Sequence, residues 1–201
     1  MSELTTDPWI EENSLLPADK LHAIGVISFR WNRCEQELFL LLCEVAKLPR
    51  RDVWALTHDS GDVSICAKVK TFALFRDYHP DGLTLLNNAI EVYDRCRQNR
   101  NAIIHAWTLS TRDDAPLARR SRKPSDPEPI PFPSSLGDLR RVADDLLSLE
   151  TRLWLLCCLL EENALDRPLT SPGILPPPAF LSDNPPHAPK VRQRPRRSSP
   201  P

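Results

Sequence analysis

From Pro17 to about Lys47, apolar residues recur at three-and-four spacing. Leu21, Ile24, Ile27, Trp31, Cys34, Leu38, Leu41, Leu42 and Val45 fall on one stripe of a helix turning about 100° per residue. A long amphipathic helix follows. Leu48-Pro49-Arg50-Arg51 breaks the pattern, a short helical turn is predicted through Val53 to Leu56, and His58-Asp59-Ser60-Gly61 punctuates again. A second helix is expected from about Val63 to Tyr78, with Ile65, Cys66, Val69, Phe72, Ala73 and Phe75 on its apolar side and Pro80-Asp81-Gly82 closing it. A third starts near Leu83 and carries Leu86, Ala89, Ile90, Tyr93, Cys96, Ile103 and Ile104, with His105 and Trp107 at or just past its end.

Beyond that helix the period changes from three-and-four to two. Trp107 to Thr111 has the alternation of a short strand, and Pro129 to Phe132 reads as an edge strand returning beside it. Residues 112–128, polar and proline-rich with Arg119, Arg120, Arg122 and Lys123, are expected to be a mobile loop. Ser134 or Ser135 is a good N-cap, with Asp138 in the first turn, for a fourth helix through Leu139, Val142, Ala143, Leu146, Leu149, Leu153, Leu156, Cys157 and Leu160. Its apolar side broadens from Trp154 to Leu160, as for a helix buried on two sides, one of them against another subunit. The pattern predicts an all-α, up-and-down bundle of four to five helices with a short β-hairpin after the third long one.

Composition sets the limits of that domain. Seventeen of the 21 prolines lie at or after Pro116 and eleven beyond Asp166, so the expected division is an extension over 1–16, a helical domain over 17–163 and a disordered tail over 164–201. That tail mixes proline pairs with the basic run Lys190, Arg192, Arg194, Arg196 and Arg197. A net charge of −1 implies no bulk attraction to polyanions, so binding to them must come from local patches. The apolar runs Leu38 to Cys43 and Leu153 to Leu160 are too short to span a bilayer, which points to a soluble cytoplasmic protein without a membrane partner. The six cysteines form no Cys-x-x-Cys pair and no ligand spacing with histidine, so neither a metal nor another cofactor is expected. With only 5 glycines there is no phosphate loop, and Gly-x-Ser-x-Gly and HExxH are absent.

One stretch departs from scaffold. Arg97 to Trp107 crowds charged, amide and imidazole groups onto the end of the third helix. Projection at about 100° per residue puts Arg100 on the apolar stripe with Tyr93 and Ile104, while Asn101 and His105, four apart, share its edge, where the amide could fix the imidazole's tautomer. A guanidinium among packed side chains calls for a partner. Glu35, on the apolar side of the first helix, is the candidate, and we expect it to pair with Arg100. Arg97 and Asn99 are read as solvated neighbours. The same features also suit a purely structural role, an Arg–Glu pair locking two helices with a histidine at a helix end.

The pattern Arg100-Asn101-x-x-x-His105, at the end of the third long helix with a long helix before it and a capped helix after it, resembles the HEPN superfamily. The motif itself covers six residues and the helical context roughly Pro17 to Glu162. The resemblance implies a metal-independent ribonuclease acting as a symmetric homodimer, in which Arg100, Asn101 and His105 of two subunits face one cleft. In such proteins an antitoxin or another regulatory protein is a frequent partner, in toxin–antitoxin or phage-defence settings. The alternatives are a non-catalytic HEPN-like module for dimerisation or for binding a nucleotide or partner, and a helical adaptor working through its basic loop and tail.

Overall fold

The computed structural model describes residues 8–108, 116–119, 128–170 and 173–181. Its helices are α1 (Pro8–Asn13), α2 (Ala18–Ala46), α3 (Arg50–Thr57), α4 (Asp62–Leu74), α5 (Pro80–Ile104) and α6 (Leu136–Glu161), followed by the 3-10 turn η1 (Ala164–Asp166). An all-α bundle with a small antiparallel sheet is the result, as the apolar periodicity predicts.

Helices α2 and α6 form the spine and run in the same direction. The Cys34 thiol donates to the Leu146 carbonyl at 3.4 Å and, thirteen residues later at the C-cap of α2, Lys47 Nζ donates to the Leu160 carbonyl at 3.2 Å. Ile27, Trp31, Cys34, Leu38, Leu41 and Val45 are buried along the seam with Leu139, Leu146, Leu149, Leu153 and Leu156, which is the stripe that three-and-four spacing creates. At the N-terminus of α6 the Ser135 hydroxyl accepts from Asp138 N–H while the Asp138 carboxylate accepts from Ser135 N–H, a reciprocal capping box. Ser134 has a different task, accepting Leu117 N–H at 2.7 Å.

Pro80-Asp81-Gly82 does not close α4 but opens α5. Proline needs no intrahelical donor at the first helical position, the His79 ring accepts from Asp81 N–H, and α4 has ended at Leu74. Gly82 is buried there, because a Cβ at this position would stand 2.7 Å from the Leu165 carbonyl oxygen of η1.

The strands are β1 (Trp107–Thr108), β2 (Leu117–Arg119) and β3 (Ile130–Pro131), in the order β1-β2-β3. The expected pairing of residues 107–111 with 129–132 is therefore replaced by one in which β2, inside the segment read as a mobile loop, lies between them, with Trp107 opposite Ala118 and Arg119 opposite Ile130. Leu117 and Ala118 are buried, and two apolar residues flanked by prolines and arginines are too short a run to announce a strand. The rest of that loop lies outside the described residues.

The expectation of a disordered tail from residue 164 is also revised. Leu165 and Leu181 are buried in the core, and Leu169 N–H donates to Asp81 at 3.1 Å. Residues 173–181 lie along α5 because its side chains hold their backbone, which proline content cannot reveal. The basic run from Lys190 onward lies outside the described residues.

Candidate functional site

Arg100 lies near the C-terminal end of α5, five residues before its C-cap His105, and is half-buried. Its Nη1 donates to Asn101 Oδ1 at 2.9 Å, and its guanidinium carbon lies 5.9 Å from the centre of the Trp31 ring, within the range of a cation–π attraction. Trp31 in turn packs on Tyr93 with ring centroids 4.9 Å apart. Tyr93 and Arg100 are seven residues, two helical turns, apart on α5, so the indole of α2 fits against both. Arg30, Arg33 and Arg97 each contact a carboxylate, whereas among the described residues no carboxylate oxygen lies within 4 Å of the Arg100 guanidinium. Its buried Nε has no hydrogen-bond partner there either.

The expected Glu35–Arg100 ion pair is thus not a contact. Glu35, one turn after Trp31, is exposed at the residue level. Burial of its carboxyl pushes the pKa above the ordinary value, against the opposing pull of hydrogen bonding from Trp31 and the charge of Arg100, while Asp62 raises it further. Arg100 reaches Glu35 through space only, because the guanidinium is drawn to the Trp31 ring and the Asn101 amide.

His105 is the C-cap of α5, with its N–H on the Asn101 carbonyl at 3.2 Å and an exposed ring. Asn101 faces it across one turn, but the amide oxygen is taken by Arg100, and among the described residues no hydrogen bond joins the amide to the imidazole. Asn101 therefore orients the guanidinium rather than the histidine. Trp107, two residues on, is 43% exposed and begins β1, so the helix end presents a cation, an imidazole and an indole close together along the chain.

Two residues read as solvated are not. The Arg97 side chain is 22% exposed, its Nε donates to Asp94 at 3.1 Å and lies 3.9 Å from Asp62, and Gln98 Nε2 donates to the other Asp94 oxygen at 2.7 Å. Asn99 is buried at 3% exposure. Its amide donates to the Ala179 carbonyl at 2.9 Å and accepts Leu181 N–H at 3.1 Å. Sequence reasoning missed Asn99, Asp62 and Asn88. The signal available was the eleven-residue spacing of Asn88 and Asn99, three helical turns.

Such an end of a bundle can bind an anionic oxygen at Arg100 and move a proton at His105. Among the described residues no group of three or more His, Cys, Asp or Glu is placed to hold a metal ion, and no helix is long and apolar enough to cross a membrane. No family model, curated protein or solved structure matches this chain.

Proposed function

We propose that this protein is a metal-independent endoribonuclease of the HEPN type, cleaving RNA by attack of the 2′-OH on the adjacent phosphate at a site composed across a homodimer. The observation that carries this reading is Arg100, a half-buried guanidinium near the C-terminal end of α5 with one amide partner, no contact carboxylate among the described residues and an exposed histidine five residues on. An arginine held in place but not neutralised is preorganised for an anion, and its planar fork suits phosphoryl oxygens.

RNA brings its own nucleophile, so the protein has three tasks. His105 takes the 2′-OH proton or returns one to the leaving 5′-oxygen, which an imidazole can do near neutral pH. Arg100 stabilises the charge that builds on the phosphoryl oxygens in the transition state. Asn101 holds the guanidinium through its Oδ1. Two-fold symmetry supplies a second histidine, so that one acts as base and the other as acid. The products are a 2′,3′-cyclic phosphate and a 5′-OH. Trp154 at 56% exposure, with Leu147 and Leu155 at 41% each, gives α6 an apolar outer surface that a second copy could cover. An antitoxin or another regulatory protein is a further candidate partner.

A second reading has its own support. The Trp31–Arg100–Asn101 contacts join α2 to α5, as in a non-catalytic module that dimerises or binds a nucleotide or partner protein. Incubating wild type and His105→Ala with RNA in EDTA separates the two. Cleavage lost on mutation at an unchanged thermal midpoint supports the enzyme, and a folded wild type inert toward a broad RNA panel sinks it.

A further inference from the structure

Trp107 stands on the outer face of the sheet, next along the chain to the helix end that carries Arg100 and His105. Leu117 and Phe132 belong to the hydrophobic core, and Ala106 packs against it. Successive strand residues alternate between faces. With Leu117 turned inward, Ala118 and its cross-strand neighbours Trp107 and Pro131 therefore form a row on the opposite face. Ala118 is buried in the middle of that row, with opposed Cβ atoms about 5 Å away on either side. The indole is thus fixed by the ladder, and it is still 43% exposed.

Among the described residues of the sheet, Trp107 is the only exposed large hydrophobic side chain. A protein partner calls for a contiguous apolar patch, such as Leu147, Trp154 and Leu155 give α6. A single open ring instead suits a single flat ligand, and a nucleobase of any identity has a π-face that stacks on an aromatic side chain. The position suits the same ligand. Two residues on from His105, the Trp107 Cα lies within about 7 Å of the His105 Cα. From Gln98 to Thr108 the chain carries one arginine, one histidine and no acid, so a phosphate beside the indole meets no like charge from this stretch.

We propose that Trp107 is a nucleobase-stacking subsite of the Arg100–His105 end, holding the base of a nucleotide that adjoins the phosphate engaged there, in single-stranded RNA. This rests on that end being an RNA site, not on its cleaving RNA. Arg100 holds the backbone while Trp107 takes an unstacked base, so the end selects single strands over a duplex, whose bases stack on one another. Stacking without contacts to base edges leaves the identity of the base unread.

The test uses the full chain carrying His105→Ala, so that binding is read without cleavage, and a fluorescent ten-nucleotide oligoadenylate as probe. Adding Trp107→Ala should weaken binding about ten-fold, while Trp107→Phe, which keeps a ring, should recover most of that loss. An abasic strand of the same length offers phosphates but no base, and Trp107→Ala should leave its affinity unchanged. An unchanged affinity for oligoadenylate, or an equal loss for the abasic strand, overturns the proposal. A dimer that dissociates on Trp107→Ala in analytical ultracentrifugation makes the indole a contact between copies and overturns it too. If Trp107→Ala does not fold, photo-crosslinking of a 5-iodouridine decamer to the chain with Trp107 intact decides. Adducts on Trp107 support the subsite, and adducts only elsewhere, or none, sink it. Failure of the ribonuclease reading shows separately, as absent cleavage by wild type with oligoadenylate binding intact.

Discussion

Arg100 donates to Asn101, the residue next to it in the chain, at 2.9 Å, and this one bond redistributes the roles in the motif. The amide expected to steady His105 steadies the arginine instead, and His105 stands exposed at the helix end. Asn101→Ala should lower cleavage by releasing the guanidinium, cost about 1 kcal/mol of stability, and leave the pH midpoint of the rate where it is in wild type. A shifted midpoint would return Asn101 to the imidazole.

His105→Ala removes an exposed ring from a helix C-cap whose bond is made by the backbone. Stability in urea should change by less than about 0.5 kcal/mol, while RNA cleavage should drop by about 100-fold or more if the ring transfers protons. A variant that keeps wild-type cleavage removes His105 from the mechanism.

Glu37 is buried on α2, 3.7 Å from Arg33 and near Glu150, which Arg33 and Arg30 also contact. Burial holds its pKa above the ordinary 4.5, outweighing the pull of Arg33, and Glu150 adds to the rise. A carboxyl whose folded pKa is raised binds its proton more tightly in the folded state. Its contribution to stability is therefore complete below about pH 4.5 and lost as the pH rises through the folded value. Glu37→Gln should make urea stability fall less between pH 4.5 and 7 than in wild type. The slope should not vanish, since burial raises Asp145 and Glu35 in the same direction. A steeper slope in the variant would contradict this account.

Gly82→Ala would place its methyl 2.7 Å from the Leu165 carbonyl oxygen and 3.0 Å from Leu165 Cβ. Neither the α5 backbone nor η1 can yield easily, as Leu165 O also accepts His79 N–H at 2.9 Å. We expect a loss of about 1–3 kcal/mol in urea unfolding. A neutral substitution would mean that η1 does not rest on α5 in solution.

Burial pushes the Cys66, Cys96 and Cys157 thiols up to about 12, and Cys34 further. Since the thiolate is the reactive form, these four should react with a disulfide reagent at pH 8 only after denaturation. Fast labelling of Cys34 or Cys96 in the folded protein would show that the α2–α5–α6 core opens readily.

The bundle could be read from the chain alone. A stripe at three-and-four spacing can be buried only by another stripe, so α2, α5 and α6 were legible from their apolar residues, and the Ser135 cap from its chemistry. The motif at Arg100 and His105 was legible too, and so was the phase that puts Arg100 against the core, because both are properties of one helix. What lay opposite depended on tertiary packing. It set Trp31 rather than Glu35 against Arg100, inserted β2 between the two expected strands, and gave Asn88 and Asn99 a backbone to hold. Each of these joins residues distant in the chain. Local periodicity reports which face a side chain occupies, but a partner's identity depends on the register between elements, and that is settled by packing the whole core at once.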